Sequence, residues 1–285
     1  MPELPDWLIA VIAGVVEGVT EFLPISSTGH LIITSDLLQF DSIEGTFEIF
    51  IQIGAVIAVL LFYRAELLLQ AQSVLNRNPE KNEDKIRTQN SRQLWLGIII
   101  AFIPAAVIGL LLGDWIDELL FNPTTVAIAL IVGGVMFIVV ESFIKGKETE
   151  QQSIEDVPLT YVQALLVGFW QVLALIPGMS RSGMSIIGGM LSGLDRQRAT
   201  QFSFYLAMPT LGAATLYTLI KDLDSISGND LFLLILGAIV SGIVAWFSIG
   251  WLLRYVASNS FIPFGYYRIV VGILILALVY APAFM

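Results

Sequence analysis

Ten apolar stretches follow one another along this chain, and two of them are too short to cross a bilayer. They run over Trp7–Ile25, His30–Leu38, Phe47–Tyr63, Leu94–Leu112, Thr124–Ile144, Tyr161–Ile176, Met184–Leu194, Phe202–Ile220, Leu231–Leu253 and Ile262–Phe284. A spanning helix needs about 20 apolar residues, and His30–Leu38 and Met184–Leu194 fall well below that. Each follows a polar break, Pro24-Ile25-Ser26-Ser27-Thr28-Gly29 before the first and Pro177-Gly178-Met179-Ser180-Arg181-Ser182-Gly183 before the second. A helix, a break and a half-helix make a re-entrant hairpin. Such a backbone survives at membrane depth only where protein or a wet cavity satisfies its polar groups.

Composition agrees. Charged residues are 13% of the chain, hydrophobic residues 56%, and the mean hydropathy is +0.81. A soluble domain carries about a quarter charged residues, so the expectation is an all-α polytopic membrane protein. A net charge of −10 disfavours nucleic acid as a partner. The lack of cysteine excludes disulfides, thiol catalysis and Cys-ligated metal sites, and a single histidine excludes mechanisms that need two. The amino end does not read as a signal peptide, because Glu3 and Asp6 replace the basic region and Glu17 and Glu21 interrupt the apolar run.

Basic residues set the expected orientation. Arg64, Arg77, Lys81, Lys85, Arg87 and Arg92 cluster after the third stretch, Lys145 and Lys147 after the fifth, Arg196 and Arg198 after the seventh, and Arg254 after the ninth. Placing all of these in the cytoplasm makes the first hairpin enter from the exterior and the second from the cytoplasm. Each hairpin is then followed by three spanning helices, and both termini lie outside. The exterior loops carry Asp36, Asp41, Glu44, Asp114, Asp117, Glu118, Asp222, Asp224 and Asp230, with Lys221 their only base. The halves also align: Glu17-Gly18-Val19-Thr20-Glu21 lies over Val167-Gly168-Phe169-Trp170-Gln171, and each runs into a Pro and a Ser/Thr-Gly loop. This predicts one membrane domain of two inverted repeats, residues 1–145 (hairpin 6–40) and 157–285 (hairpin 160–194), around a polar linker 146–156. That is a transporter-type architecture.

Glu17 and Glu21 stand at i and i+4, so both carboxylates leave one helix face. Inside an apolar run an ionisable residue marks a functional site. The pair suits a divalent cation (Mg²⁺ or Ca²⁺) that also binds phosphate oxygens, or a general base and its partner. Ser26, Ser27, Thr28 and Gly29 open a half-helix, where hydroxyls and free N–H groups bind an anion or simply cap the helix. His30 follows directly and becomes a catalytic candidate beside them. In the second break Arg181 lies between Ser180 and Ser182, with Ser185 one turn on. An arginine in the membrane is costly, by roughly 2.5 kcal/mol or more, and a phosphate held by its guanidinium fork is the compensating partner, with a salt bridge to Glu17 or Glu21 as the alternative. Glu48 and Gln52 are assigned to solvent, Arg268 to snorkelling at the cytoplasmic interface. Gly109 and Gly113 form a GxxxG that permits close packing, which leaves a homodimer open.

At these residues the chain resembles the integral-membrane undecaprenyl-pyrophosphate phosphatases, the bacitracin-resistance family of bacterial cell-envelope synthesis. The resemblance covers essentially the whole chain. It rests on Glu17-Gly18-Val19-Thr20-Glu21-Phe22-Leu23-Pro24 running into Ser26-Ser27-Thr28-Gly29-His30, and on Pro177-Gly178-Met179-Ser180-Arg181-Ser182-Gly183. The family usually has Thr where this chain has Ser185, which keeps the hydroxyl. The resemblance implies removal of the terminal phosphate from a C55 polyprenyl diphosphate, yielding the monophosphate carrier for peptidoglycan precursors. It also implies a divalent cation and a site facing the exterior of the bacterial plasma membrane. Carried over by motif, the catalytic set is Glu17, Glu21, Ser27, His30 and Arg181, supported by Ser26, Thr28, Ser180 and Ser185, with Gly29 and Ser182 in the same loops.

The expected mechanism has Glu17 and Glu21 holding the cation and Arg181 with the helix N-termini stabilising phosphoryl charge. Ser27 is the first choice as nucleophile, with His30 or Glu21 taking its proton; attack by His30 or by water remains open. A flippase or transporter is the leading rival, since it shares the architecture. A capture protein that binds lipid diphosphates without turnover is the non-catalytic rival. The membrane phosphatases that use two histidines are excluded.

Overall fold

The computed structural model describes residues 4–38, 46–75, 82–144, 153–221 and 228–281. Arg77, Lys81, Lys145, Lys147, Asp41, Glu44, Asp222, Asp224, most of the linker 146–156 and the end of the last apolar stretch lie outside the described residues, as do the side chains of Asp36 and Asp117. Among the described residues the chain forms eleven α-helices and no strand: α1 Asp6–Thr20, α2 Ser27–Leu38, α3 Thr46–Phe62, α4 Arg64–Leu75, α5 Asn82–Leu120, α6 Pro123–Ile144, α7 Tyr161–Val172, α8 Arg181–Leu191, α9 Arg196–Lys221, α10 Gly228–Val256 and α11 Ile262–Tyr280. Local chemistry starts several of them. Thr160 and Gln163 cap α7 reciprocally, the Asn122 carboxamide accepts from Thr125 N–H at the start of α6, and the Asp195 carboxylate accepts from Arg198 N–H at the start of α9.

Five helices (α5, α6, α9, α10 and α11) are long and apolar enough to cross a membrane. Only 22% to 44% of their most apolar windows is buried in the protein, so the rest presents apolar surface outward, as contact with lipid requires. The protein is a polytopic all-α membrane protein. The sixth expected span is α3, which is 17 residues long and bends by 71° into α4 at Tyr63. No apolar stretch is expected between Tyr63 and Leu94. There α4 packs on α5, where Gln70 Nε2 donates to Tyr205 Oη at 3.0 Å and Trp95 Nε1 donates to Gln70 Oε1 at 3.0 Å. A buried amide with both ends satisfied, together with Leu67 packed on the core, holds this helix against the bundle.

In each half the short helix packs back on the one before it: α2 on α1, and α8 on α7 through a single 3-10 turn, Leu173–Leu175. The first helix of each hairpin leans on a spanning helix from the other half, α1 on α10 and α7 on α5. Gly18 and Gly168 make these approaches possible. A Cβ on Gly18 would stand 2.5 Å from Ser241 O, and one on Gly168 would stand 2.7 Å from Ala101 O. From the centre of the molecule α2 runs toward the end where Ser35 meets Glu48 of α3 and Thr215 of α9 meets Ile49 O. In the opposite direction α8 reaches the start of α9, where Arg196 pairs with the buried Glu141 of α6. The half-helices α2 and α8 are 12 and 11 residues long, and the side chains that open them, Ser27 and Arg181, meet at Glu21.

Gly178 shows how tightly the second break is packed. Its φ is +96°, and a Cβ there would stand 2.5 Å from Val126 O. Gly113 has nothing within 4 Å of its Cβ position. Gly178→Ala is expected to lower the stability of the purified protein by more than about 1 kcal/mol, whereas Gly113→Ala loses none. Thermal unfolding in detergent checks the pair, and equal sensitivity at both positions would contradict this account of the break.

Candidate active site

The two breaks are built alike. Ser26 and Ser180, at φ 72° and 76°, are the non-glycine residues with positive φ among the described residues. Each immediately precedes its half-helix, and each hydroxyl accepts from the N–H of the glycine three residues on, at 3.4 Å from Gly29 and 3.1 Å from Gly183. Holding a serine there costs on the order of 1–3 kcal/mol, and such strain persists where the surroundings over-determine it. The next residue, the first of each half-helix, is Ser27 in one break and Arg181 in the other. Both reach the same carboxylate. Ser27 Oγ donates to Glu21 Oε2 at 2.5 Å, and Arg181 Nη2 donates to Glu21 Oε1 at 3.0 Å.

Glu21 ends α1 and is only 5% exposed. With both oxygens engaged it is an acceptor already in use. One turn earlier Glu17 is fully buried, and neither of its carboxylate oxygens has a hydrogen-bond partner. An unpartnered buried carboxylate is unfavourable, so Glu17 needs a proton or a cation. That requirement fits a divalent ion at the Glu17–Glu21 pair. Among the described residues no three acidic or histidine side chains converge as a metal cage. A cation held here would complete its shell with waters and phosphate oxygens, as Mg²⁺ commonly does.

Arg181 is anchored from α9, where Nη1 donates to Ser203 O at 2.8 Å and lies 3.3 Å from Ser203 Oγ. Its Nε is buried with no partner, which leaves a donor for an incoming anion. Ser185 donates to Ser203 Oγ at 2.8 Å, so it positions the group that anchors Arg181. Ser182 donates across the gap to Leu23 O of the first break at 3.1 Å and lies 3.0 Å from Ser180 Oγ. Thr28 is half-buried and Gly29 buried beside it. His30 Nδ1 lies 2.7 Å from Ser26 O and Nε2 lies 2.7 Å from Tyr267 Oη. The structure thus gathers Glu21, Ser27, Arg181, Ser182 and Ser185 into one connected network, with Glu17 one turn away on the same helix and His30 on the outer side of the first break.

Sequence reasoning missed Ser203 and Tyr267 and misplaced two charged residues. Arg268 does not snorkel: it is 0% exposed. Its Nη1 donates to Pro24 O at 3.0 Å, its Nη2 to Gly178 O at 2.9 Å, Met179 O at 3.0 Å and Ala129 O at 3.3 Å, and its Nε to Leu130 O at 3.3 Å. The rule applied to Arg181, that an arginine in an apolar run must find partners, would have found it. Glu48 is not simply solvated, since Ser35 donates to its Oε1 at 2.9 Å and its Oε2 is buried without a partner.

A polytopic membrane protein in which two helix breaks bring an arginine and a serine onto one buried carboxylate, with a second carboxylate one turn away, falls in the class of membrane-embedded enzymes. More particularly, the chain belongs to the family described as bacitracin resistance protein BacA, whose model matches residues 10–274. It is 46% identical over 282 residues to the undecaprenyl-diphosphatase of Deinococcus radiodurans, covering 96% of each chain. It is also 47% identical over 269 residues to undecaprenyl-diphosphatase 1 of Chromobacterium violaceum, covering 94% of each. The undecaprenyl-diphosphatase of Ectopseudomonas mendocina is 46% identical over 269 residues, covering 94% of this chain and 92% of the relative.

Removing one partner of a buried pair exposes the other's unpaired charge, at about 3–5 kcal/mol. Glu21→Gln and Arg181→Met are each expected to destabilise the protein, and the double variant to recover more than about 1 kcal/mol of coupling. Denaturant unfolding in micelles measures the cycle, and additivity of the two single losses would mean the residues do not act as a pair.

Proposed function

We propose that this chain is an undecaprenyl-diphosphatase that hydrolyses the terminal phosphate of a C55 polyprenyl diphosphate and returns the monophosphate lipid carrier to peptidoglycan synthesis. The observation that carries this reading is the convergence of Ser27 and Arg181, the first residues of two half-helices, on Glu21. Helix N-termini and a guanidinium favour a phosphate. A serine hydroxyl already donating to a carboxylate is a nucleophile with its base in place. The site sits in a multi-pass membrane bundle whose outward surface is apolar, as a lipid substrate needs.

In this mechanism Glu21 takes the Ser27 proton at Oε2 as Oγ attacks the terminal phosphorus. The bond to the bridging oxygen breaks and the polyprenyl monophosphate leaves with its electron pair, taking the proton from Glu21. Water then attacks the phosphoserine and gives a proton to the freed Glu21 carboxylate; the P–Oγ bond breaks, Glu21 returns that proton to Ser27 Oγ, and inorganic phosphate departs. Arg181, held by Ser203, directs Nε and its remaining N–H donors at the non-bridging oxygens, where charge grows. Glu21 fits the role of base better than His30, both of whose ring nitrogens are engaged elsewhere. A divalent cation would be held by Glu17, whose two oxygens are unpartnered, beside Glu21, and would neutralise diphosphate charge. Hydroxyls and N–H groups from Ser26, Thr28, Gly29, Ser180 and Ser182 line the two breaks, and Ser185 acts through Ser203.

The reading includes an inverted repeat, residues 1–145 and 157–285. It is supported by the matched breaks and by the exchange of helices between halves. It also includes a site open to the exterior of the bacterial plasma membrane, supported by the gathering of Arg196, Arg198 and Arg92 at the opposite end from Ser35 and Glu48.

The test is phosphate release from a C55 polyprenyl diphosphate by purified protein, with and without chelator. Wild type is expected to release phosphate and lose activity on chelation. Glu21→Ala and Arg181→Ala are each expected to lose about 100-fold or more. A folded protein that binds the lipid without releasing phosphate would replace this reading with a flippase or a capture protein. Separately, rapid quenching with substrate labelled on the terminal phosphate is expected to trap label on Ser27, and label on His30 would remove Ser27 from the role.

A further inference from the structure

The chain's single histidine is bonded at both ring nitrogens, and the second bond comes from a residue that the proposed mechanism does not use. The Ser26 carbonyl, 2.7 Å from Nδ1, has no proton to give, so Nδ1 carries the hydrogen. In the neutral ring Nε2 then holds a lone pair, and the Tyr267 hydroxyl 2.7 Å away must donate to it. The ring planes are 5° from parallel with centroids 5.7 Å apart. Parallel planes whose atoms approach to 2.7 Å cannot be stacked, because stacked carbon atoms need about 3.5 Å. The rings therefore lie side by side, and the hydroxyl meets the edge of the imidazole, where the lone pair points.

Tyr267 is well held for this task. It precedes Arg268 on α11, and Arg268 is tied to Pro24 O of the first break and to Gly178 O and Met179 O of the second. The α11 backbone is thus fixed against the loop that carries Ser26 and His30. Tyr267 itself remains 43% exposed, so it stands between the histidine and the outside of the bundle.

We propose that Tyr267 is a positioning residue of this site, which holds His30 in its Nδ1–H tautomer and thereby fixes the Ser26 carbonyl, and with it the strained turn that presents Ser27 to Glu21. If His30 takes a proton at Nε2, the Tyr267 oxygen turns from donor to acceptor and the contact survives. The link between His30 and the Ser27 loop is then kept through the turnover.

One imidazole in the chain means one set of histidine ring signals. In ¹⁵N-histidine-labelled protein at a pH where the ring is neutral, the expected spectrum has the proton on Nδ1 and a hydrogen-bonded, unprotonated Nε2, with a correlation across the bond to a tyrosine hydroxyl. Tyr267→Phe is expected to shift the Nε2 signal toward a free ring nitrogen or move the proton to Nε2. It is expected to lower kcat for diphosphate hydrolysis about tenfold, well below the roughly 10²–10⁴-fold of a direct acid–base group, with KM within about twofold. A wild-type proton on Nε2 would overturn the proposal, as would a Phe variant whose ring signals superimpose on wild type. If the Phe variant does not fold, the wild-type correlation decides by itself. The kinetic arm rests on the phosphatase reading and the spectrum does not, so the failure of one is distinguishable from the failure of the other.

Discussion

Where the chain breaks after α1 and after α7 it leaves buried carbonyl groups that no continuing helix satisfies, and the guanidinium of Arg268 answers that need. It binds Pro24 O in the first break, Gly178 O and Met179 O in the second, and Ala129 O and Leu130 O on α6. Each bond from a charged donor contributes roughly 1.5–3 kcal/mol, set against the large desolvation of a guanidinium. No carboxylate lies within ion-pair distance of Arg268 among the described residues. Its charge is therefore met by carbonyl dipoles alone, and it adds positive potential where the two half-helix N-termini meet.

The arrangement at Glu21 depends on that clamp. Matched backbones at Ser26 and Ser180 put two unlike side chains, Ser27 and Arg181, at corresponding places, and the same carboxylate serves both. In the proposed function this asymmetry would bring the Ser27 hydroxyl to a phosphate from one side and the Arg181 guanidinium from the other. Ser203, reached from a third helix, keeps Arg181 from collapsing entirely onto Glu21. The unpartnered oxygens of Glu17 and the unpartnered Nε of Arg181 are the unsatisfied groups at this site, one suited to a cation and the other to an anion.

Charge in an apolar run is conspicuous in a sequence because it is expensive in the membrane, and for that reason Glu17, Glu21 and Arg181 were legible. Proline, glycine and serine before short apolar stretches made both hairpins legible as well. Ser203 and Tyr267 were not, because a hydroxyl in a helix can bond to its own backbone and so signals nothing about distant partners. Arg268 was misread because a cation near a helix start, flanked by Tyr266 and Tyr267, looks like one that reaches the interface. Nothing in its neighbourhood announces five carbonyls from three other segments. The segment containing α4 was missed for the opposite reason: charged and amide residues interrupt its leucines, and its one buried residue is Gln70 rather than an apolar side chain.

The sequence by itself determined that the chain lives in a membrane, that two of its apolar stretches are interrupted by polar breaks, and which charged residues had to be placed near those breaks. These follow from transfer energies and backbone propensities, which act locally. The tertiary structure decided which atoms meet. It gave Glu21 to Ser27 and Arg181, left Glu17 unpartnered, turned Arg268 inward and set Tyr267 on His30. The bonds of Arg181 to Glu21, of Arg268 to the two breaks and of Tyr267 to His30 join residues far apart in the chain and depend on how helices pack, which no local preference encodes.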